Sequence, residues 1–216
     1  MNNSIDRVTC TLICAGMCLV WYTLTAMVGA LSASFALAET GMLMPLLCVV
    51  EFAVLVPLWY GYCRHYTNIP FGTFSWRQGM LFGLLLICLI VSQSWYLLQE
   101  NWTGNQLEHG GNTILFSLAV VLLAPVFEEI LFRGFVLQGL LLWIPKQRFA
   151  AALLTSVIFA MLHTQYTHFQ TLIALSALSL LFCYARLLSG GLRLPILLHM
   201  LNNFIGVSPW LWSGQS

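Results

Sequence analysis

Charged side chains are scarce in this chain. Only 7% of its 216 residues are charged, against roughly 25% in an ordinary soluble domain. Hydrophobic residues make up 60% of the sequence, and the mean hydropathy is +0.87. A soluble fold needs a charged surface that this composition cannot supply, so we expect most of the chain to lie in lipid. The net charge of +1 gives no basic field, which argues against a nucleic-acid partner.

Several catalytic signatures are absent as well. None of the seven cysteines belongs to a CxxC pair, so we interpret them as apolar packing residues. The HExxH motif of zinc proteases does not occur. No GxSxG motif surrounds a serine, and a nucleophilic role for Ser117 or Ser156 therefore has little support.

Long hydrophobic runs are what the sequence does contain. A membrane span needs about 20 mainly apolar residues. The sequence predicts an all-α polytopic transmembrane helical bundle of about seven spans (six to eight), forming a single integral membrane domain over residues 1–216. The first run is too long for a signal-peptide core, so we expect a retained span. The predicted spans cover residues 8–36, 42–63, 79–98, 113–144, 149–163, 171–188 and 195–212.

The loops between these runs differ in charge. The charges at the loops at Glu39 and at 99–112 are only acidic, whereas arginine and lysine cluster at four other places, at Arg7, Arg64 and Arg77, Lys146 and Arg148, and Arg186 and Arg193. The positive-inside rule then predicts a cytoplasmic N-terminus. The aromatic stretch 64–78 is predicted to lie at the membrane interface, and we expect His65, His109 and His168, in polar stretches, to be solvated.

Two adjacent acids and an arginine interrupt the run 113–144. A charge near the bilayer centre costs at least a few kcal/mol, so such residues normally face the bundle interior and mark function. Glu129 and Arg133 are four residues apart and can pair on one helix face. Glu128 is rotated away from that face, so it is freer to act on a proton. Glu51 is a lone acid in another span, for which we expect structural pairing or a supporting role.

Polar residues also interrupt two later runs. His163 ends one run, and His199 and Asn203 share a helix face in the last one. A glutamate can take a proton from water, one histidine can hold that water, and a histidine with an asparagine can donate to an oxyanion. Amide hydrolysis needs these three roles. Zinc bound by His163, His199 and Glu128 stays an open alternative, as does the absence of any cofactor.

Three motifs in these segments resemble those of a known family. Glu128–Arg133 is similar to the EExxxR motif of the CPBP family, which comprises the CAAX proteases and bacteriocin-processing enzymes. Phe159–His163 resembles its FxxxH motif, and His199–Asn203 its HxxxN motif. The three occur in the family's order and spacing.

The resemblance implies an intramembrane protease with its core over residues 113–205, related to the type II CAAX prenyl endopeptidase. Glu128 and His163 would activate water, His199 and Asn203 would stabilise the oxyanion, and Glu129 and Arg133 would support the site. Membrane lipid and a protein or peptide substrate are the implied partners, and the bacterial inner membrane is the expected location. A bacteriocin-immunity or other binding protein without turnover, and a proton-coupled transporter, are the alternatives.

Overall fold

The computed structural model describes residues 3–65, 71–98, 100 and 113–213. These residues form helices and no strand, which confirms the predicted all-α fold. In chain order the helices are α1 (Asn3–Ala30), α2 (Ser34–Glu39), α3 (Leu43–His65), α4 (Trp76–Gln93), α5 (Thr113–Trp143), α6 (Arg148–Met161), α7 (Phe169–Ser189) and α8 (Arg193–Ser213).

Five of these helices, α1, α3, α4, α5 and α7, are long and apolar enough to cross a membrane. Helix α6 is apolar but has only 14 residues, and α8 has 21. Each of the seven predicted spans therefore contains a helix. Two predicted ends were too late. Helix α1 stops at Ala30 because the Val28 carbonyl accepts from the Leu31 N–H and the Ser34 hydroxyl, and α4 stops at Gln93 before a turn.

Helix α5 changes its winding twice. Its α-helical turns are interrupted by π-helix at Ala119–Leu123 and at Ile130–Val136. In a π-helix the N–H of residue i+5 bonds to the carbonyl of residue i, and residue 125 is proline, which has no N–H. The Val120 carbonyl therefore lacks that partner within the helix. Gly134 lies inside the second π segment.

The centre of the bundle is the middle of α5. Glu129, Phe132, Arg133 and Phe135 are among its largest fully buried side chains. Helices α1 and α3 pack on one side of it, and α6, α7 and α8 on the others. A chain that buries a glutamate and an arginine at its centre must satisfy both there, because neither can reach water.

A tight turn between α7 and α8 sets the start of α8. Gly190 ends α7 in the left-handed conformation (φ 70°). The backbone of Gly191 lies against Gly72 so closely that a Cβ atom on either glycine would collide with the other. The Arg193 N–H also donates to the Phe71 carbonyl at 2.8 Å. These contacts fix the first turn of the helix that carries His199.

Parts of the sequence predictions fall outside the described residues. These are the loop 99–112 except Glu100, with His109 in it, residues 66–70 of the interfacial stretch, and the side chain of His65. The described part of that stretch exposes Phe71, Phe74 and Trp76, and His168 is half-buried.

Candidate active site

An ion pair at the middle of α5 forms the base of the site. Arg133 donates from one terminal nitrogen to Oε1 of Glu129 at 2.9 Å, and both side chains are inaccessible to solvent. The other terminal nitrogen donates to the hydroxyl and the carbonyl of Ser179 at 2.8 and 3.1 Å. The guanidinium lies over the rings of Phe159 and Phe182, 5.0 and 5.4 Å from their centroids. The predicted pairing of Glu129 with Arg133 is therefore present, with Ser179 as an anchor that sequence reasoning missed.

His199 links this pair to Glu128. Its Nδ1 atom lies 2.8 Å from Oε1 of Glu129, and its Nε2 atom lies 3.8 Å from Oε2 of Glu128. A carboxylate can only accept, so Nδ1 carries the proton of that hydrogen bond. The ring is stacked on Phe182 with centroids 5.1 Å apart. Glu129 thus orients His199 so that Nε2 points toward Glu128.

The charges of the cluster can balance. Glu128 and Glu129 contribute two negative charges and Arg133 one positive charge. With a protonated His199 the sum is zero, and in that form the ring donates from both nitrogens. Charges in a low-dielectric bundle are tolerable only in such compensated groups.

His163 is oriented by its own helix turn. Its Nδ1 atom lies 2.7 Å from the carbonyl of Phe159, which can only accept, so Nδ1 donates. In the neutral ring Nε2 is then an acceptor. The ring packs on Phe159, with centroids 4.3 Å apart, and is stacked nearly parallel to Tyr166 at 6.2 Å.

Asn203 is held by the irregular turn of α5. Its Nδ2 atom donates to the Val120 carbonyl at 2.9 Å, which is the acceptor left free by Pro125. Asn202 donates in turn to Oδ1 of Asn203 at 3.1 Å. The amide of Asn203 therefore keeps a fixed orientation, and one of its two N–H groups is available for another acceptor.

Two cavities meet at Glu128 and His163. The first, of about 150 Å³, is lined by all four predicted catalytic residues, Glu128, His163, His199 and Asn203. The second, of about 270 Å³, opens between α1, α3 and α5, and also contains Glu51. Glu51 is buried and accepts a hydrogen bond from the Thr25 hydroxyl at 2.7 Å. The predicted structural pairing of Glu51 thus has a partner, although this acid faces the same space as Glu128.

A short segment between α6 and α7 closes one side of the site. Gln165 and Tyr166 line the first cavity, which the sequence did not indicate because neither belongs to a motif. Burial raises the pKa of Tyr166 to about 12, with the negative charges of Glu128 and Glu100 adding to the effect. The phenol is therefore a hydrogen-bond donor throughout the physiological range.

Glu100 fastens this segment from outside the motifs. Its carboxylate accepts from the N–H and hydroxyl of Thr167, the N–H of His168 and the hydroxyl of Thr171. Burial acts to raise the pKa of Glu100, but these hydrogen bonds outweigh it and lower the pKa to about 2. An ionised Glu100 thereby joins the two residues before α7 to the Thr171 hydroxyl in its first turn.

The metal alternative does not fit this arrangement. Among the described residues no three His, Cys, Asp or Glu side chains are grouped to hold an ion. No step is therefore derived through a metal.

The three motifs also match a known family. The family model described as type II CAAX prenyl endopeptidase Rce1-like covers residues 110–205. This segment is therefore similar to the Rce1-like family. An Escherichia coli protein described as an uncharacterized 24.3 kDa protein is 40% identical over 96 residues, which is 44% of this chain and 44% of that protein. The matched part thus spans less than half the length of this relative. No solved structure matches the chain.

The Rce1-like segment contains all six residues of the predicted site. It also contains Ser179 and Tyr166. The Phe159 carbonyl, which accepts from His163, and the Val120 carbonyl, which accepts from Asn203, lie in it as well. Glu51 and Glu100 lie outside it. These two acids are therefore features of the surrounding bundle, which sequence motifs do not cover.

Proposed function

We propose that this protein is an intramembrane endopeptidase of the CAAX-protease type, which hydrolyses a peptide bond of a membrane-associated protein or peptide. The observation that carries the proposal is the single cavity lined by Glu128, His163, His199 and Asn203. The match of residues 110–205 to the Rce1-like family supports it. A cytoplasmic N-terminus and the bacterial inner membrane stay predictions.

Glu128 is the proposed general base. Its side chain is 19% exposed, whereas that of Glu129 is fully buried and engaged by two donors. Glu128 is therefore the acid that a water molecule in the cavity can reach. The neutral His163 holds the same water by accepting a hydrogen bond from it at Nε2, so one O–H bond of the water stays intact. Glu128 takes the other proton as the oxygen attacks the carbonyl carbon, and then delivers it to the leaving amine.

His199 and Asn203 are the proposed oxyanion donors. Attack converts the carbonyl oxygen to an oxyanion, which needs preorganised N–H groups close by. The protonated His199 donates from Nε2 while Glu129 holds Nδ1, and Asn203 donates from the N–H that Val120 does not use. Both donors are fixed before the substrate enters, so little reorganisation is needed.

The experiment replaces Glu128 by glutamine. Glu128→Gln keeps the size of the side chain and removes the base, so peptide cleavage should fall by about 100-fold or more. The control is Glu39→Gln, which changes an exposed acid in α2. New peptide ends in membranes containing wild type and each variant identify both the activity and the substrate. Both variants should keep the unfolding temperature of the wild type within a few degrees.

Unchanged cleavage by Glu128→Gln would reject Glu128 as the base, whereas the absence of any cleavage by wild type would favour the binding or immunity alternative. The proposal of a glutamate-dependent reaction has its own test. Peptide cleavage by purified protein should persist after treatment with a strong zinc chelator. Loss of cleavage that added zinc restores would contradict a reaction in which Glu128 and His163 activate the water without a metal.

A further inference from the structure

Three arginines line a separate cavity at the other end of the α5–α7 interface. Arg133, Arg148 and Arg186, out of eight basic residues in the chain, surround about 250 Å³ together with Gln138. No acidic residue among the described ones lines this space. Such an excess of one charge is unusual in a chain with 7% charged residues.

The cavity extends from the span ends into the bundle. Arg148 is exposed, Arg186 and Gln138 are half-buried, and Arg133 is fully buried. Helix α5 ends at Trp143 and α7 at Ser189, so the open end lies beside the ends of two helices long and apolar enough to cross a membrane. The exposed indole of Trp143 fits the same interfacial position.

The donors that face this space are incompletely used. Nε of Arg186 and Nε of Arg133 are buried, and neither has a hydrogen-bond partner among the described residues. No ion pair involves Arg148 or Arg186 in the described part of the chain. Arg148 also begins α6, whose first turn has no acid and no side-chain cap. All of these features favour an anion.

We propose that this arginine cavity binds a phosphate-type anion, such as the phosphate of an anionic phospholipid headgroup. Arg148 and Arg186 would hold the phosphate oxygens, since guanidinium groups match that geometry with paired donors. Basic cavities between span ends are sites of this kind. Because Arg133 also holds Glu129, the anion site and the proposed active site share one side chain.

The test compares lipid retention by the full chain purified in detergent. Native mass spectrometry would score bound phosphatidylglycerol against phosphatidylcholine for wild type, Arg148→Gln and Arg186→Gln. The matched control is Arg64→Gln, an exposed arginine in the last turn of α3 that does not line the cavity. We expect wild type and Arg64→Gln to retain phosphatidylglycerol preferentially, and each cavity variant to bind it about fivefold more weakly.

A second measurement identifies the source of the anion. A rise in the unfolding temperature of lipid-free wild type with inorganic phosphate, absent in Arg148→Gln, would show that free phosphate also occupies the site. A rise with phosphatidylglycerol alone would assign it to the headgroup. Arg148 is exposed, so its substitution should leave the fold intact. Equal retention of both lipids by wild type, or unchanged binding by Arg148→Gln, would overturn the proposal.

Discussion

Nδ1 of His199 lies 2.8 Å from Oε1 of Glu129, the same oxygen that accepts from Arg133 at 2.9 Å. One carboxylate oxygen therefore joins the buried arginine of α5 to the histidine of α8. Glu129 has two functions in consequence: it neutralises Arg133, and it orients the ring of His199. The sequence indicated only the first of these.

The pair should be tested by a double-mutant cycle. Arg133→Met leaves the buried Glu129 without its cation, and loss of one partner of a buried pair typically destabilises by about 3–5 kcal/mol. The combination of Arg133→Met with Glu129→Gln removes both charges and should recover part of that loss. The free energy of unfolding in detergent, compared between wild type, the single variant and the double variant, measures the loss and the recovery. A single Arg133→Met variant as stable as wild type would mean that the pair is not buried as described.

The orientation of Asn203 can be tested separately. Asn203→Asp replaces the N–H that donates to Val120 with an oxygen, so two acceptors would face each other. We expect peptide cleavage to fall by about 100-fold, the typical effect of losing one oxyanion donor. Ser208→Ala is the control, because it changes another polar residue of α8 that does not line the cavity and leaves the Asn203–Val120 hydrogen bond. Equal losses in both variants would contradict a specific role for Asn203.

The hydrogen bonds of the Glu100 carboxylate predict an acid-sensitive link between Glu100 and the start of α7. Its pKa is lowered from 4.5 to about 2, so its contribution to stability is complete above about pH 4.5 and is lost as the pH falls toward 2. Glu100→Gln should lower the unfolding temperature at pH 7, and the difference from wild type should shrink between pH 4.5 and 2. Glu39→Gln, at an exposed acid, should show no such pattern. A difference in unfolding temperature that does not depend on pH would argue against an ionised Glu100 carboxylate in these hydrogen bonds.

The substitution Glu51→Gln should be tolerated better than Glu51→Leu. In Glu51→Gln the side-chain oxygen still accepts from the Thr25 hydroxyl, so stability should be kept and cleavage should change by less than about threefold. Glu51→Leu removes that acceptor and leaves the hydroxyl only the Trp21 carbonyl at 3.0 Å, which should destabilise the protein by about 0.5–1.5 kcal/mol. Thermal unfolding and cleavage of the two variants provide the comparison. A large loss of cleavage in a stable Glu51→Gln variant would indicate that Glu51 takes part in the reaction.

The sequence alone was sufficient for the membrane bundle and for the six residues of the candidate site. Scarce charge and runs of about 20 apolar residues predict helices in lipid, because each span must satisfy its own backbone. Glu128, Glu129 and Arg133 were conspicuous for the same reason, since a charge inside such a run needs a partner. The pairing at i and i+4 followed from helix geometry.

Tertiary structure decided which partner each polar group has. The contacts of Glu129 with His199 and of Arg133 with Ser179 join positions 70 and 46 residues apart, and no local pattern encodes them. The free Val120 carbonyl arises from a π turn before Pro125, and its acceptance of Asn203 required α8 to lie alongside. Only packing shows that Glu51 shares a cavity with Glu128, that Tyr166 lines the site and that three arginines form a cavity, because these contacts depend on which helices are neighbours.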